Sequence, residues 1–194
     1  MNLDDPTAVA LLAAEALGRA GIEHALYGGL LLAAYGAARE TRDADLAVAG
    51  ASVADAARSL GMSGIHTAVA FERVRFGGLW VGRITLLGGA DASGLNTLDL
   101  VEPCSIEYAR RALTRALGST LRSQPIRLLT PEDFVVFKVL STRELDLDDA
   151  RSVLASLGAE LDRSQIESEV VTLQREEPDH PISERWRRVL GGVG

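Results

Sequence analysis

Three aspartates and a glycine pair are the residues best placed to do chemistry. Asp43 and Asp45 are two positions apart in Arg42-Asp43-Ala44-Asp45-Leu46-Ala47-Val48, a segment whose alternation predicts a strand over 43–48. On a strand, residues two apart share a face, with Cα atoms about 6.5–7 Å apart. Two acids so placed repel each other and lose hydration, and a divalent cation relieves both penalties. Mg²⁺ favours such oxygen ligands together with substrate phosphates. The same spacing also suits an edge strand with one wet face. Asp99 is the lone acid of Thr97-Leu98-Asp99-Leu100-Val101, either a satisfied structural carboxylate or a third member of the same site. Gly28-Gly29 stands where a short strand, His24 to Tyr27, gives way to a short helix, Leu30 to Tyr35. It is either an ordinary tight turn or a place where bare backbone approaches a phosphate.

The elements that must position these residues can be read from punctuation and periodicity. Helices are expected over Thr7 to Ala20 and from Ser52 to Gly61, the latter with Asp55 in its first turn. Strands are expected at Val74–Phe76, Trp80–Leu87 and Thr97–Val101, separated by glycine-rich turns at Gly77-Gly78, Gly88-Gly89 and Gly94. Ile106 to Leu117 reads as a helix with an arginine-bearing face, and Ile126 to Leu129 as a last short strand. Thr130-Pro131-Glu132-Asp133 is a strong helix start, with Thr as N-cap, Pro at the first position and acids in the first turn. That helix should run through Val139. Further helices are expected over about 147–157, 164–175 and 183–190. The fold class is therefore α+β: residues 1–125 form an α+β core and residues 126–194 a helical C-terminal region packed on it.

Composition narrows the function classes. The chain has 194 residues, 47% hydrophobic and 24% charged, which suits a globular domain with a sizeable core. Its 27 acidic against 20 basic residues give a net charge of −7, which excludes a grossly basic nucleic-acid coat. Lys138 is the single lysine; every other basic residue is arginine. Cys104 is the single cysteine, so neither an internal disulfide nor a thiolate metal cluster is available. No apolar run approaches the roughly 20 residues of a membrane span, and the first residues lack the basic segment of a signal peptide, so a cytoplasmic location is expected.

Taken together, Tyr27-Gly28-Gly29-Leu30, Tyr35-Gly36 and Arg39-Glu40-Thr41-Arg42-Asp43-Ala44-Asp45 resemble the signature of the nucleotidyltransferase superfamily related to DNA polymerase β. More narrowly, the pattern is similar to the AbiEii-type and minimal nucleotidyltransferases of bacterial toxin–antitoxin systems. The resemblance takes in Asp99 and resumes at Thr130-Pro131-Glu132-Asp133, Lys138, Arg143, Asp146 and Asp149, so it covers roughly residues 20 to 160.

It implies a nucleotidyltransferase fold, with a small mixed sheet flanked by helices. The implied activity is Mg²⁺- or Mn²⁺-dependent transfer of an NMP from an NTP to a hydroxyl acceptor: tRNA or other RNA, a protein or a small molecule. A cognate antitoxin or toxin is the implied partner. In that scheme Asp43 and Asp45 bind metal and triphosphate, and Asp99 completes the metal site and helps deprotonate the acceptor. Gly28 and Gly29 hold the β- and γ-phosphates, with Arg39, Thr41 and Arg42 also on the nucleotide. Lys138 lies near the phosphates or orients an acid such as Asp99 or Asp45. The alternative is a non-catalytic partner-binding protein that keeps the fold.

Other residues carry plainer expectations. His24, His66 and His180 lack metal-ligand spacing and read as structural or surface residues. Cys104 reads as a small apolar filler, and Trp80 and Trp186 as core or interface anchors. Arg110, Arg111, Arg115, Arg122 and Arg127 are either a solvated face or one wall of a cleft that meets acceptor phosphates. Arg143 and Asp149 are expected to pair or cap. Arg185, Arg187 and Arg188 can pair with Glu176, Glu177 and Asp179.

Overall fold

A computed structural model describes residues 2–88 and 94–192. Its centre is one mixed sheet of seven strands: β1 (His24–Tyr27), β2 (Ala44–Val48), β3 (His66–Phe76), β4 (Leu79–Leu87), β5 (Leu95–Pro103), β6 (Leu117–Leu121) and β7 (Gln124–Leu128). The spatial order is β3-β4-β5-β2-β1-β7-β6. β2 runs parallel to β5 and β1 parallel to β7, while the remaining neighbours are antiparallel. The helices are α1 (Pro6–Arg19), α2 (Gly28–Ala34), α3 (Val53–Met62), α4 (Ile106–Arg115), α5 (Pro131–Leu140), α6 (Glu144–Leu157), α7 (Arg163–Glu176) and α8 (Ile182–Gly191).

The helix starts follow the side-chain chemistry. Ser52 Oγ accepts the Asp55 N–H at 3.0 Å, and Thr130 Oγ1 accepts the Asp133 N–H at 3.1 Å, so both expected caps form. In β2, alternation sends Ala44, Leu46 and Val48 to one face and Asp45 and Ala47 to the other. α1 packs on β1, β2 and β5, and α3 on β3 and β4, so the aliphatic residues of the central strands are buried.

Several boundaries differ from the sequence reading. β2 starts at Ala44, leaving Asp43 just before it. β3 reaches back to His66, not Val74. It is an edge strand, mostly exposed on both faces and broken by two register shifts, so it shows no period-2 pattern. α4 stops at Arg115, and Leu117, the expected end of that helix, opens the strand Leu117–Leu121. Its hairpin turn puts Arg122 and Ser123 at φ 49° and 64°, a conformation that neither residue type favours. α6 begins at Glu144, three residues before the expected start. The expected boundary at 125/126 falls inside β7, and the helical stretch begins at Pro131. Gly89, half of one expected turn, lies outside the described residues.

Ion pairs join the helices to the sheet and to each other. Arg115 binds Asp133 of α5 through two hydrogen bonds, 2.9 and 2.6 Å, and lies 3.0 Å from Glu169 of α7. Arg111 also binds Glu169, at 2.6 and 3.2 Å. This corrects both readings of the arginine face: Arg111 and Arg115 neither line the cleft nor stand free in solvent, because buried carboxylates on α5 and α7 hold them. Arg127 donates to the Leu113 carbonyl and Arg122 to Asp5. At the C-terminal end, Arg185 caps carbonyls of Val139 and Arg143 at 3.0 Å each, and Arg188 pairs with Glu144. The upstream Glu177 is taken instead by Arg75, from the far side of the sheet edge. Among the described residues, no helix is long and apolar enough to cross a membrane.

Candidate active site

Register assembles the site. Asp45 of β2 pairs across β1 with Tyr27 and across β5 with Asp99, and Asp99 pairs across β4 with Arg83. Residues opposite one another on adjacent strands share a face, so Arg83, Asp99, Asp45 and Tyr27 form one row across four strands. Tyr27 ends the row under α5, its ring centroid 5.6 Å from that of Phe134 and 5.2 Å from that of Phe137. The row floors a cleft of about 400 Å³. All nine residues singled out from the sequence line this cleft: Gly28, Gly29, Arg39, Thr41, Arg42, Asp43, Asp45, Asp99 and Lys138.

The glycine pair is required by the acids. Gly28 has φ +70°, and a Cβ there would stand 1.9 Å from Asp45 Oδ2. A Cβ on Gly29 would stand 2.7 Å from Thr41 Cβ and Oγ1. Bare backbone therefore reaches the acid row at the start of α2, and Tyr27, at the N-cap, makes no side-chain cap hydrogen bond. Thr41 Oγ1 donates to the Asp43 carbonyl at 3.3 Å, a local bond in the segment that leads into β2.

The three carboxylates differ in their surroundings. Asp43, at the rim, accepts from Thr97 Oγ1 at 2.8 Å and lies 3.7 Å from Arg83 Nη2. Asp99 is gripped by Arg83 through two hydrogen bonds, 2.7 and 2.8 Å. Asp45 has no such partner among the described residues. Loss of hydration, then the charges of Asp99 and Asp43, push its carboxyl up to about 7; the charges of Lys138 and Arg143 offset only part of this.

Among the described residues, no three His, Cys, Asp or Glu side chains make a ready metal-ligand set. The donor chemistry still fits a hard divalent ion: Asp43 and Asp45 offer oxygen ligands with too little positive charge around them, and Asp99 stands beside Asp45.

Lys138 has different partners from those expected. Its Nζ donates to Asp146 Oδ1 at 2.7 Å and lies 2.9 Å from Asp149 Oδ2, both on α6 rather than on the sheet. It also sits 5.1 Å from the Tyr27 ring centroid. Burial opposes its charge, but the Tyr27 hydroxyl and the two carboxylates outweigh that and hold the ammonium well above its ordinary range. Asp149 pairs with Arg39, at 3.0 and 3.1 Å, and not with Arg143; Arg143 lies 3.8 Å from Asp146. Arg42 is exposed at the mouth, 3.8 Å from Glu40.

The sequence reading missed Arg83. It is the lone charged residue of an apolar strand, Leu79–Leu87, which is the same signal that singled out Asp99. None of the three histidines lines the cleft: His24 Nδ1 lies 2.8 Å from the Ile22 carbonyl, His66 is exposed and His180 is buried near the β3–β4 turn. Trp186 is in the core, and Trp80 lies under Arg73.

No protein-family model and no curated protein sequence matches the chain. Solved structures do. An antigenic nucleotidyltransferase-like protein from Paracoccidioides brasiliensis aligns with a TM-score of 0.52 at 19% identity, covering 95% of this chain and 93% of that one. ANT(2")-Ia in complex with adenylyl-2"-tobramycin aligns at 0.49 and 15% identity, over 84% and 92%. A solution structure of the antibiotic-resistance factor ANT(2'')-Ia gives 0.49 and 16%, over 91% and 100%. The mixed sheet, its flanking helices and the helical C-terminal region thus make up a fold shared with a nucleotidyltransferase-like protein.

Proposed function

We propose that the protein is a divalent-metal-dependent nucleotidyltransferase, moving an NMP from an NTP to a hydroxyl acceptor that is RNA, a protein or a small molecule. One observation carries this reading: Asp45, flanked in register by Asp99 and preceded by Asp43, lies under a glycine turn that excludes any side chain. Asp43 and Asp45 would hold Mg²⁺ or Mn²⁺, with Asp99 joining them. The bound ion supplies neutralisation of the charge that develops as a hydroxyl attacks the α-phosphorus in line and pyrophosphate leaves. The triphosphate would lie against the free N–H groups of Gly28 and Gly29, with Thr41 and Arg42 beside it.

Arg39 acts from behind, through Asp149, and holds the segment that leads to Asp43. Lys138 forms part of the wall while engaged with two carboxylates, so the geometry favours positioning over direct phosphate contact. Residues 1–125 would carry the chemistry and residues 126–194 would close the cleft.

The AbiEii-type assignment, a toxin–antitoxin context with a cognate partner, and a cytoplasmic location, where the triphosphate would be met, belong to this reading through the sequence resemblance. A second reading, a non-catalytic partner-binding protein on the same fold, is favoured by the Arg83 grip on Asp99.

The deciding experiment incubates the protein with Mg²⁺ or Mn²⁺ and each labelled NTP, with tRNA, cell lysate or antibiotics as acceptors. The expected result is label transfer by wild type and none by Asp43→Ala/Asp45→Ala. If calorimetry also finds no metal-dependent NTP binding by wild type, the enzyme reading fails and the second one stands.

A further inference from the structure

The acid row carries its own cation. Arg83 meets Asp99 at two points and stands 3.7 Å from Asp43, while Asp99 is the register partner of Asp45. One guanidinium therefore engages two of the three carboxylates that a divalent ion would need, and the third, Asp45, is the register neighbour of one of them. Its side chain is 35% exposed and 5.8 Å from the Phe71 ring centroid, so it has both room to leave and an aromatic face to rest on.

We propose that Arg83 is a displaceable internal counter-ion. It neutralises the row when no metal is bound, and it must release Asp99 before a divalent ion can use that carboxylate. The inference rests on the metal-site reading above. Its thermodynamic content is a reciprocal coupling: Arg83 weakens metal binding by the same factor by which metal weakens the Arg83–Asp99 contact. Two features set the size of the coupling. Arg83 is a full positive charge beside the ion's ligands, and the contact to be broken is a two-point, charge-assisted one.

The test is Mn²⁺ titration of the full chain without nucleotide, read by the electron paramagnetic resonance of free Mn²⁺ and by melting temperature. Arg83→Gln is expected to bind Mn²⁺ roughly tenfold or more tightly than wild type, since a like charge at contact range is removed. Its metal-free melting temperature should fall, and Mn²⁺ should raise it by more than in wild type. Adding Asp45→Asn should abolish the tight binding. Arg83→Lys keeps the charge but grips Asp99 at one point, and should fall between the two.

Asp45-dependent Mn²⁺ binding that is equal or weaker in Arg83→Gln overturns the counter-ion role and leaves the metal site standing. No Asp45-dependent binding by any variant overturns both. Should Arg83→Gln fail to fold, Arg83→Lys decides: tighter binding than wild type supports the role, and unchanged binding overturns it.

Discussion

Two groups of carboxylates meet at this cleft, and they are balanced differently. On α6, Asp146 and Asp149 share Lys138, and Arg39 and Arg143 stand beside them, so each acid has a cation within 3 Å. By the sheet, Asp43 and Asp99 share Arg83, and among the described residues Asp45 has no hydrogen-bonding cation. A satisfied buried pair serves to join elements, and breaking it is costly. An under-neutralised row leaves negative charge for something from outside to meet. The difference separates a residue that assembles a site from one that does its chemistry, although both kinds line the same cleft.

The comparison can be broken in a graded way. The largest effect expected is on turnover: Asp45→Asn should lower NMP transfer by about a thousandfold or more, of the order seen when a key electrostatic group is removed. It should leave the fold at least as stable as wild type near neutral pH, and equilibrium urea unfolding beside a transfer assay checks both halves. Next comes Lys138→Met, which removes the buried cation that Asp146 and Asp149 share and leaves Asp146 only the more distant Arg143. It should destabilise the chain by about 3–5 kcal/mol. Lys138→Arg should recover part of that stability, while NTP binding stays weaker than wild type.

The third prediction concerns pH, where the two groups act in opposite senses. Asp45 titrates near 7 in the folded chain and near its ordinary low value when unfolded, so the native state binds the extra proton in between. Stability of metal-free protein should fall as pH rises from about 4 to about 7, by at most about 1.4 kcal/mol per unit from this group. In Asp45→Asn that slope should vanish. Asp149 is the reverse: burial works to raise it, but Arg39 and Lys138 overcome this and hold it below its ordinary value. Its contribution is present above that value and is lost as pH falls below about 4. Urea midpoints across pH, with a chelator present, would show both arms. The smallest effect is expected for Arg42→Ala, exposed and outside both groups: stability within about 0.5 kcal/mol of wild type, with weaker NTP binding by calorimetry.

The legible parts of the molecule were those with local causes. Caps at Ser52 and Thr130, the glycine turn at 28–29 and the strand at 44–48 all rest on neighbours in sequence. The expected site residues do share one cleft, because the motif blocks fall at the sheet's central strands and at α5. What sequence could not supply was partnership. Sequence places Lys138 near the phosphates or on an acid such as Asp99 or Asp45, and it binds the acids of α6; sequence has Arg143 and Asp149 pair or cap, and Asp149 binds Arg39. Arg111 and Arg115 looked like a free face until α7 brought Glu169 against them. Each of these contacts is set by packing between elements distant in the chain. The exposed edge strand β3 and the hairpin strand β6 escaped for another reason: neither buries one clean face, so neither carries a period.

The parallel pairing of β2 with β5 has a kinetic consequence. Asp45 and Asp99 become neighbours only after α3, β3 and β4, which lie between them in sequence, have been folded back into a crossover. Such non-local pairing closes a long loop and is slow, whereas α5 to α8 contact one another along nearby sequence. On refolding from urea, helical circular dichroism should therefore return before divalent-ion binding does. The acid row is then a late marker of maturation: a chain stalled short of the native topology would have its helices and no place for the ion.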